Sequence, residues 1–195
     1  MSEFLSNTGQ IAADIAGDAS IVSRVCQYWA QLRLDGATPK RRDVDSRALS
    51  DLLPHVFLAE LVTPRVARLR ICGHRIEDIL GMDMRGMPLS VLFQGTARDD
   101  IAEALEQVQM GARVILSVES QTGFGQPKIT ATVALMPLAD EVGRITRIMG
   151  VIERQGEIGR APRRFALARP VADAQPTTPA PRKRPALRVI DGGRT

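Results

Sequence analysis

Two cysteines, Cys26 and Cys72, and two histidines, His55 and His74, are the residues of this 195-residue chain best suited to nucleophilic or metal chemistry. They stand far apart in sequence, whereas zinc ligands come in closely spaced pairs. Two cysteines cannot build a disulfide framework either. Nowhere does the chain show a Ser/His/Asp set, a paired-carboxylate pattern or a phosphate loop. Gly123-Phe124-Gly125 has the glycine content of a phosphate cradle, but no helix follows it, so it reads as a β-turn. Met82, Met84 and Met87 carry thioethers that soft metals or haem iron accept. Their uneven spacing fits one helical face poorly and reads as core filling. The expectation is a protein that is not an enzyme.

The elements that would hold these residues come from an ordinary globular composition with one anomaly. Apolar residues make up 44% of the chain, but aromatics only 4%, with a single Trp. Its core must therefore be aliphatic, and readers of single-stranded nucleic acid that stack bases on aromatic platforms are disfavoured. The net charge of +4 is uneven. Between Arg160 and Thr195 nine basic residues face two acidic ones, and six of the twelve prolines lie there. Residues 1–159 are mildly acidic. A pI of 9.7 thus describes a tail, not a nucleic-acid-binding body. Such a tail buries too little apolar surface to order itself. No stretch is apolar for long enough to span a membrane, and Met1-Ser2-Glu3-Phe4-Leu5 lacks a basic leader, so a cytoplasmic location is expected.

Along the body the hydrophobic period changes. Ile21, Val22, Val25, Cys26, Trp29 and Leu32 recur at three and four residues and predict an amphipathic helix over 19–34, capped by Asp18. A short second helix, capped by Asp45 or Ser46, presents Leu49, Leu52 and Leu53. Residues 56–62 and 66–72 then alternate as two strands, with Ala67, Leu69 and Ile71 on one face. Two helical turns close at Gly81, and a short piece follows around Pro88 to Phe93. A longer helix begins at Thr96, with Asp99 completing an approximate capping box. Strands over 113–120, 128–138 and 144–154 complete the body. Clustered strands of this kind indicate an α+β fold with an antiparallel sheet.

The last strand is apolar on both faces towards its end, so its outer face needs a cover. Helix 19–34 is the candidate, from the same chain or from a second copy. Ile21, Val25, Trp29 and Leu32 on the helix, with Ile148 and Ile152 on the strand, are the expected interface of a homodimer.

This order resembles the PAS fold. Ile76 to Leu89, with turn glycines Gly81 and Gly86, looks like the glycine-punctuated helical region of PAS domains. More narrowly, the chain resembles a family of small alphaproteobacterial PAS proteins of formerly unknown function. Tyr28-Trp29 with Leu32-Arg33, Pro39 with Asp43-Val44-Asp45, and Leu53-Pro54-His55-Val56-Phe57-Leu58 carry the likeness. Arg70-Ile71-Cys72-Gly73, Gly81 to Leu89, and Ile158-Gly159-Arg160-Ala161-Pro162-Arg163-Arg164-Phe165 complete it. The match runs over about residues 20–165.

The resemblance implies a sensory or adaptor module, with a five-stranded antiparallel sheet and short helices on one face. The expected division is an arm (1–17), N-terminal helices (18–53), the PAS core (54–155) and a basic, mostly disordered tail (156–195). A flavin light sensor needs a reactive cysteine before the long helix, and a haem sensor an axial histidine on it. Neither position is filled here, so flavin and haem are disfavoured. An unidentified small molecule remains open beside a closed core. Its cavity would be lined by Leu69, Ile71, Leu80, Leu92, Leu105, Val114, Leu116, Val118, Ile129, Ala131 and Val133, with Thr130 or Thr132 as polar handles. The expected partners are a second copy and a signalling protein such as a sensor kinase. The alternative function is binding of nucleic acid or an anionic surface through the tail.

Overall fold

Alternating apolar and polar residues build the first hairpin. In the computed structural model, which describes residues 20–33 and 36–168, β1 (Val56–Thr63) pairs antiparallel with β2 (Val66–Cys72). Two helices follow, α2 (His74–Leu80) and α3 (Arg98–Gln109), with short 3₁₀ turns between them. Then come β3 (Val114–Ser120), β4 (Thr130–Ala139) and β5 (Ile145–Gln155). β5 pairs with both β1 and β4, which joins the early hairpin to the later strands.

The sheet has six strands, not the five expected. Its order is β2-β1-β5-β4-β3-β6, where β6 (Phe165–Leu167) pairs with β3 through Ser120–Phe165 and Val118–Leu167. Three residues among arginines and prolines are too few to show a period. Phe165 is nevertheless fully buried, and the Gln94 amide donates to its carbonyl at 2.7 Å. Ile158, Arg163 and Phe165 thus pack on the body, within the stretch expected to begin a mostly disordered tail. The arm expected at 1–17, the Asp18 cap and the tail from 169 lie outside the described residues.

The inner face of the sheet is covered, and the outer face is covered over β4 and β5. On the inner face α2, the 3₁₀ turns and α3 bury Ile76, Ile79, Leu92, Ile101 and Leu105 against Phe57, Leu69, Val133 and Ile148. On the outer face Val22, Val25, Cys26 and Trp29 meet Ala134, Met136, Leu138, Met149 and Val151. Each fully buried aliphatic side chain contributes roughly 1.5–3 kcal/mol relative to leaving it exposed.

The outer cover is α1 (Ile21–Gln31) of the same chain. Its first turn is capped by Ser20, whose hydroxyl accepts the Ser23 amide at 3.0 Å, two residues later than the expected Asp18. Glu153 on β5 accepts the Val22 amide at 3.1 Å and fixes the helix start to the sheet. At the other end Trp29 Nε1 donates to Pro137 O at 2.9 Å. Proline is tolerated within β4 because Pro137 lies beyond the last β3–β4 pair, Val114–Leu135, where no ladder bond needs its missing N–H.

Two expected helical details give way to local hydrogen bonding. The second helix is replaced by 3₁₀ turns over Arg41–Asp43, Arg47–Leu49 and Leu53–His55. Asp43 accepts the Lys40 amide and Asp45 the Arg47 amide, each at 2.9 Å, and such bonds compete with a continuous helix. Leu49 and Leu52 are buried, but Leu53 is left exposed. Thr96 sits in a 3₁₀ turn over Gly95–Ala97, so the N-cap of α3 is Ala97, with no side-chain bond.

Candidate functional site

The eleven residues expected to line a cavity divide ten to one. Leu69, Leu80, Leu92, Leu105, Val114, Leu116, Val118, Ile129, Ala131 and Val133 are all buried in the inner cluster. Ile71 is the exception, 51% exposed on the outer face. The cause is a β-bulge: Leu58 pairs with Ile71 but Ala59 pairs with Leu69, so Arg70 has no opposite number. Past this extra residue the side chains of β2 change faces, and Cys72 turns inward where Ile71 was expected.

The polar handles also fall on the wrong side. Ala131 and Val133 point inward, so Thr130 and Thr132 face outward beside Ser117 and Glu153. Among the described residues the buried polar side chains are Ser120 and Arg163. Arg163 Nη2 donates to Ser120 Oγ and Pro127 O at 2.6 Å and to Gln121 O at 2.8 Å, while Nη1 reaches Ile158 O. This guanidinium pins the segment before β6 to the β3–β4 hairpin. Burial lowers it from its ordinary value, yet an arginine stays charged.

Sequence reasoning missed Arg163 because it sits in a stretch that reads as a solvated tail. Two signals were there: Phe165, an aromatic in a chain with few, and the place of Ile158 to Phe165 in the family likeness.

The residues suited to chemistry are dispersed. Cys26 is buried between α1 and the sheet, where burial pushes its thiol up and Arg113 partly offsets the rise. Cys72 is half-buried, and its thiol is raised to about 12 by burial first and then by the carboxylates of Glu77 and Asp83. His74 opens α2 at the surface, and His55 Nδ1 lies 3.3 Å from Ile152 O. Met84 is fully buried and Met87 packs beside the inner cluster, as core filling requires. Met82 does not follow them and is 51% exposed. Gly123 and Gln126 exchange backbone hydrogen bonds across the turn that carries Phe124. Among the described residues no group of His, Cys, Asp and Glu could hold a metal ion, and no helix is long and apolar enough to cross a membrane.

The expected interface is divided as well. Val25 and Trp29 are buried against the chain's own sheet, with Ile21 packed beside them and Leu32 half-buried. Ile148 and Ile152 belong to the inner cluster, because the outward residues of β5 are Met149 and Val151. What α1 leaves uncovered is the β1–β2 end of the outer face. There Val44, Leu49, Leu53, Leu58, Ile71 and Met149 line a groove of about 520 Å³, with Arg41 and His74 at its rim. Leu53 and Ile71 are its exposed apolar side chains.

A flavin can be tested against the inner face. The polar edge of its ring system needs hydrogen-bond partners, and among the described residues the buried polar side chains, Ser120 and Arg163, are bonded to each other at 2.6 Å. Cys72, the thiol packed against the inner cluster, closes a strand rather than standing on a helix.

A family model described as PAS domain matches residues 18–153. No curated protein matches the chain. Among solved structures it is similar to a light-oxygen-voltage domain studied with a flavin analogue, at 15% identity and a TM-score of 0.44, covering 57% of this chain and 84% of that one. It is also similar to the light-state Aureochrome1 LOV domain, at 16% identity and a TM-score of 0.42, covering 57% and 88%. A LOV protein of Rhodobacter sphaeroides is similar at 11% identity and a TM-score of 0.42, covering 53% and 60%. The flavin named in the first of these belongs to that protein.

Proposed function

The chain belongs to the PAS domain family, and from that premise we propose that it is a non-catalytic signalling adaptor that works by protein contact. The observation that carries this reading is the contrast between the two faces. The inner face, which the sequence leaves open between a ligand cavity and a closed core, is packed with apolar side chains. The outer face keeps an apolar groove, with Ile71 turned into it by the bulge at Arg70. Apolar side chains held out in a groove are unfavourable in water, and docking that buries them lowers the free energy.

The first occupant to test is a second copy of the chain, with a signalling protein such as a sensor kinase as the downstream partner. Light scattering of the full chain at about tens of micromolar, where modest interfaces assemble, should report a dimer. Ile71→Glu should return a monomer with an unchanged circular dichroism spectrum. A wild-type monomer at that concentration removes the second copy from the groove. A dimer that survives Ile71→Glu removes the groove from the interface.

A further inference from the structure

The β3–β4 hairpin, the start of α3 and the segment before β6 meet around a polar pocket of about 330 Å³, remote from the outer groove. Gln94, Arg98, Gln121, Gln126, Arg163 and Arg164 line it, so three arginines border one pocket. No carboxylate among the described residues pairs with any of the three. The nearest acids in sequence, Asp99 and Asp100, lie in the first turn of α3. Asp99 is turned outward, 3.8 Å from Arg65.

The three arginines are held differently. Arg163 has its donors committed to Ser120 Oγ and to backbone carbonyls, so it supplies fixed positive charge rather than free N–H groups. Arg164 spends Nε on Val91 O at 3.2 Å, while Arg98 donates its backbone N–H to Gly95 O and its side chain makes no hydrogen bond to a described residue. Those two guanidinium groups keep planar pairs of donors for an incoming anion. Gln94 and Gln126 brace the wall, donating to Arg164 O at 3.4 Å and Arg160 O at 2.9 Å. The amides that begin α3 add partial positive charge on the same side, and Ala97 caps none of them with its side chain.

Like charges lining one pocket repel one another, and a counter-anion relieves that repulsion. A single carboxylate would leave much of the charge unmatched. A phosphate group carries more charge and offers three or more acceptor oxygens to the forks. We propose that this pocket binds a small molecule through a phosphate or pyrophosphate group, gripped by Arg98 and Arg164 over the fixed charge of Arg163. The ligand would bridge segments that are far apart in sequence and would brace the strand from which the basic tail leaves.

The test titrates sodium pyrophosphate into the full-length protein by calorimetry at constant ionic strength, with sodium citrate as the carboxylate arm. Saturable one-site binding at about 1 mM or tighter is expected, with citrate weaker. The exposed pair R98Q/R164Q should weaken it by about tenfold or more without changing the fold by circular dichroism. A chain carrying R182Q, K183Q and R184Q should bind as the wild type does. Binding that survives R98Q/R164Q, or that disappears with the tail substitutions, overturns the proposal. So does the absence of saturable binding below about 10 mM. Citrate binding more tightly than pyrophosphate would overturn the phosphate assignment.

Discussion

Arg163 Nη2 donates to Ser120 Oγ at 2.6 Å, and the same oxygen accepts the Ile129 amide at 3.1 Å. One hydroxyl therefore couples the segment before β6 to both strands of the β3–β4 hairpin. Replacing Arg163 with Met removes the guanidinium and strands the carbonyls of Ile158, Gln121 and Pro127. Orphaned buried acceptors cost about 1–3 kcal/mol each, discounted where water reaches them, so a loss on the order of 2 kcal/mol or more is expected. Ser120→Ala should cost less, because the carbonyls still hold the guanidinium. Urea unfolding measures both, and a smaller loss for Arg163→Met than for Ser120→Ala would contradict this account.

Trp29 is the only Trp and is 3% exposed, so its fluorescence reports the outer layer directly. The native emission should be blue-shifted and should move red only on unfolding. Trp29→Ala should cost roughly 3–5 kcal/mol, the usual range for a large ring removed from a core. Trp29→Phe keeps most of the packing but leaves Pro137 O without its donor, and should cost about 1–3 kcal/mol. If Trp29→Ala unfolds at the wild-type urea midpoint, α1 does not cover the sheet as described.

How far the chain was legible depends on the range of the interaction. The five longer strands, α1 and α3 are visible because alternation and helical stripes are local and repeat over many residues. Leu69, Val114, Leu116, Val118, Ile129, Ala131 and Val133 follow from strand parity, and Leu80, Leu92 and Leu105 from their helical positions. Ile71 does not, since the bulge at Arg70 arises from pairing between two strands and leaves no mark in either one. Ile148 and Ile152 were misplaced for a related reason. On a strand buried on both faces, hydrophobicity no longer tells inside from outside. β6 and the arginine-lined pocket are assembled from segments distant in sequence, so no window of residues contains them. Phe165, among so few aromatics, and the family likeness of Ile158 to Phe165 are the marks this stretch carries.

Gly150 faces Phe57 across the β1–β5 pair, and a Cβ built there would lie 2.0 Å from the end of the Phe57 ring. The ring thus fills the space a side chain would take on β5. Gly150→Ala should force Phe57 out of the inner cluster and destabilise by about 1–3 kcal/mol or more, as overpacked cores do. Adding Phe57→Leu should recover part of that loss, because the shorter side chain vacates the space. Additive costs in the double variant would show that the two positions do not compete for the same volume.

Cys72 gives a pH prediction whose sign follows from its burial. The folded thiol is raised from an ordinary 9.0 to about 12, chiefly by desolvation and then by Glu77 and Asp83. Below about pH 9 the thiol is protonated both folded and unfolded, so it contributes no pH dependence. Between that point and about 12 the unfolded chain releases the proton while the folded chain keeps it, and stability falls as pH rises. Urea midpoints should therefore decline through this alkaline window, and Cys72→Ser should flatten part of the decline. Iodoacetamide attacks the thiolate, so Cys72 in the folded protein at pH 8 should alkylate far more slowly than in the urea-unfolded chain. Peptide mapping after timed alkylation measures this at Cys72 separately from Cys26. Equal rates in the folded and unfolded chains would show that the thiol is not held protonated by the fold.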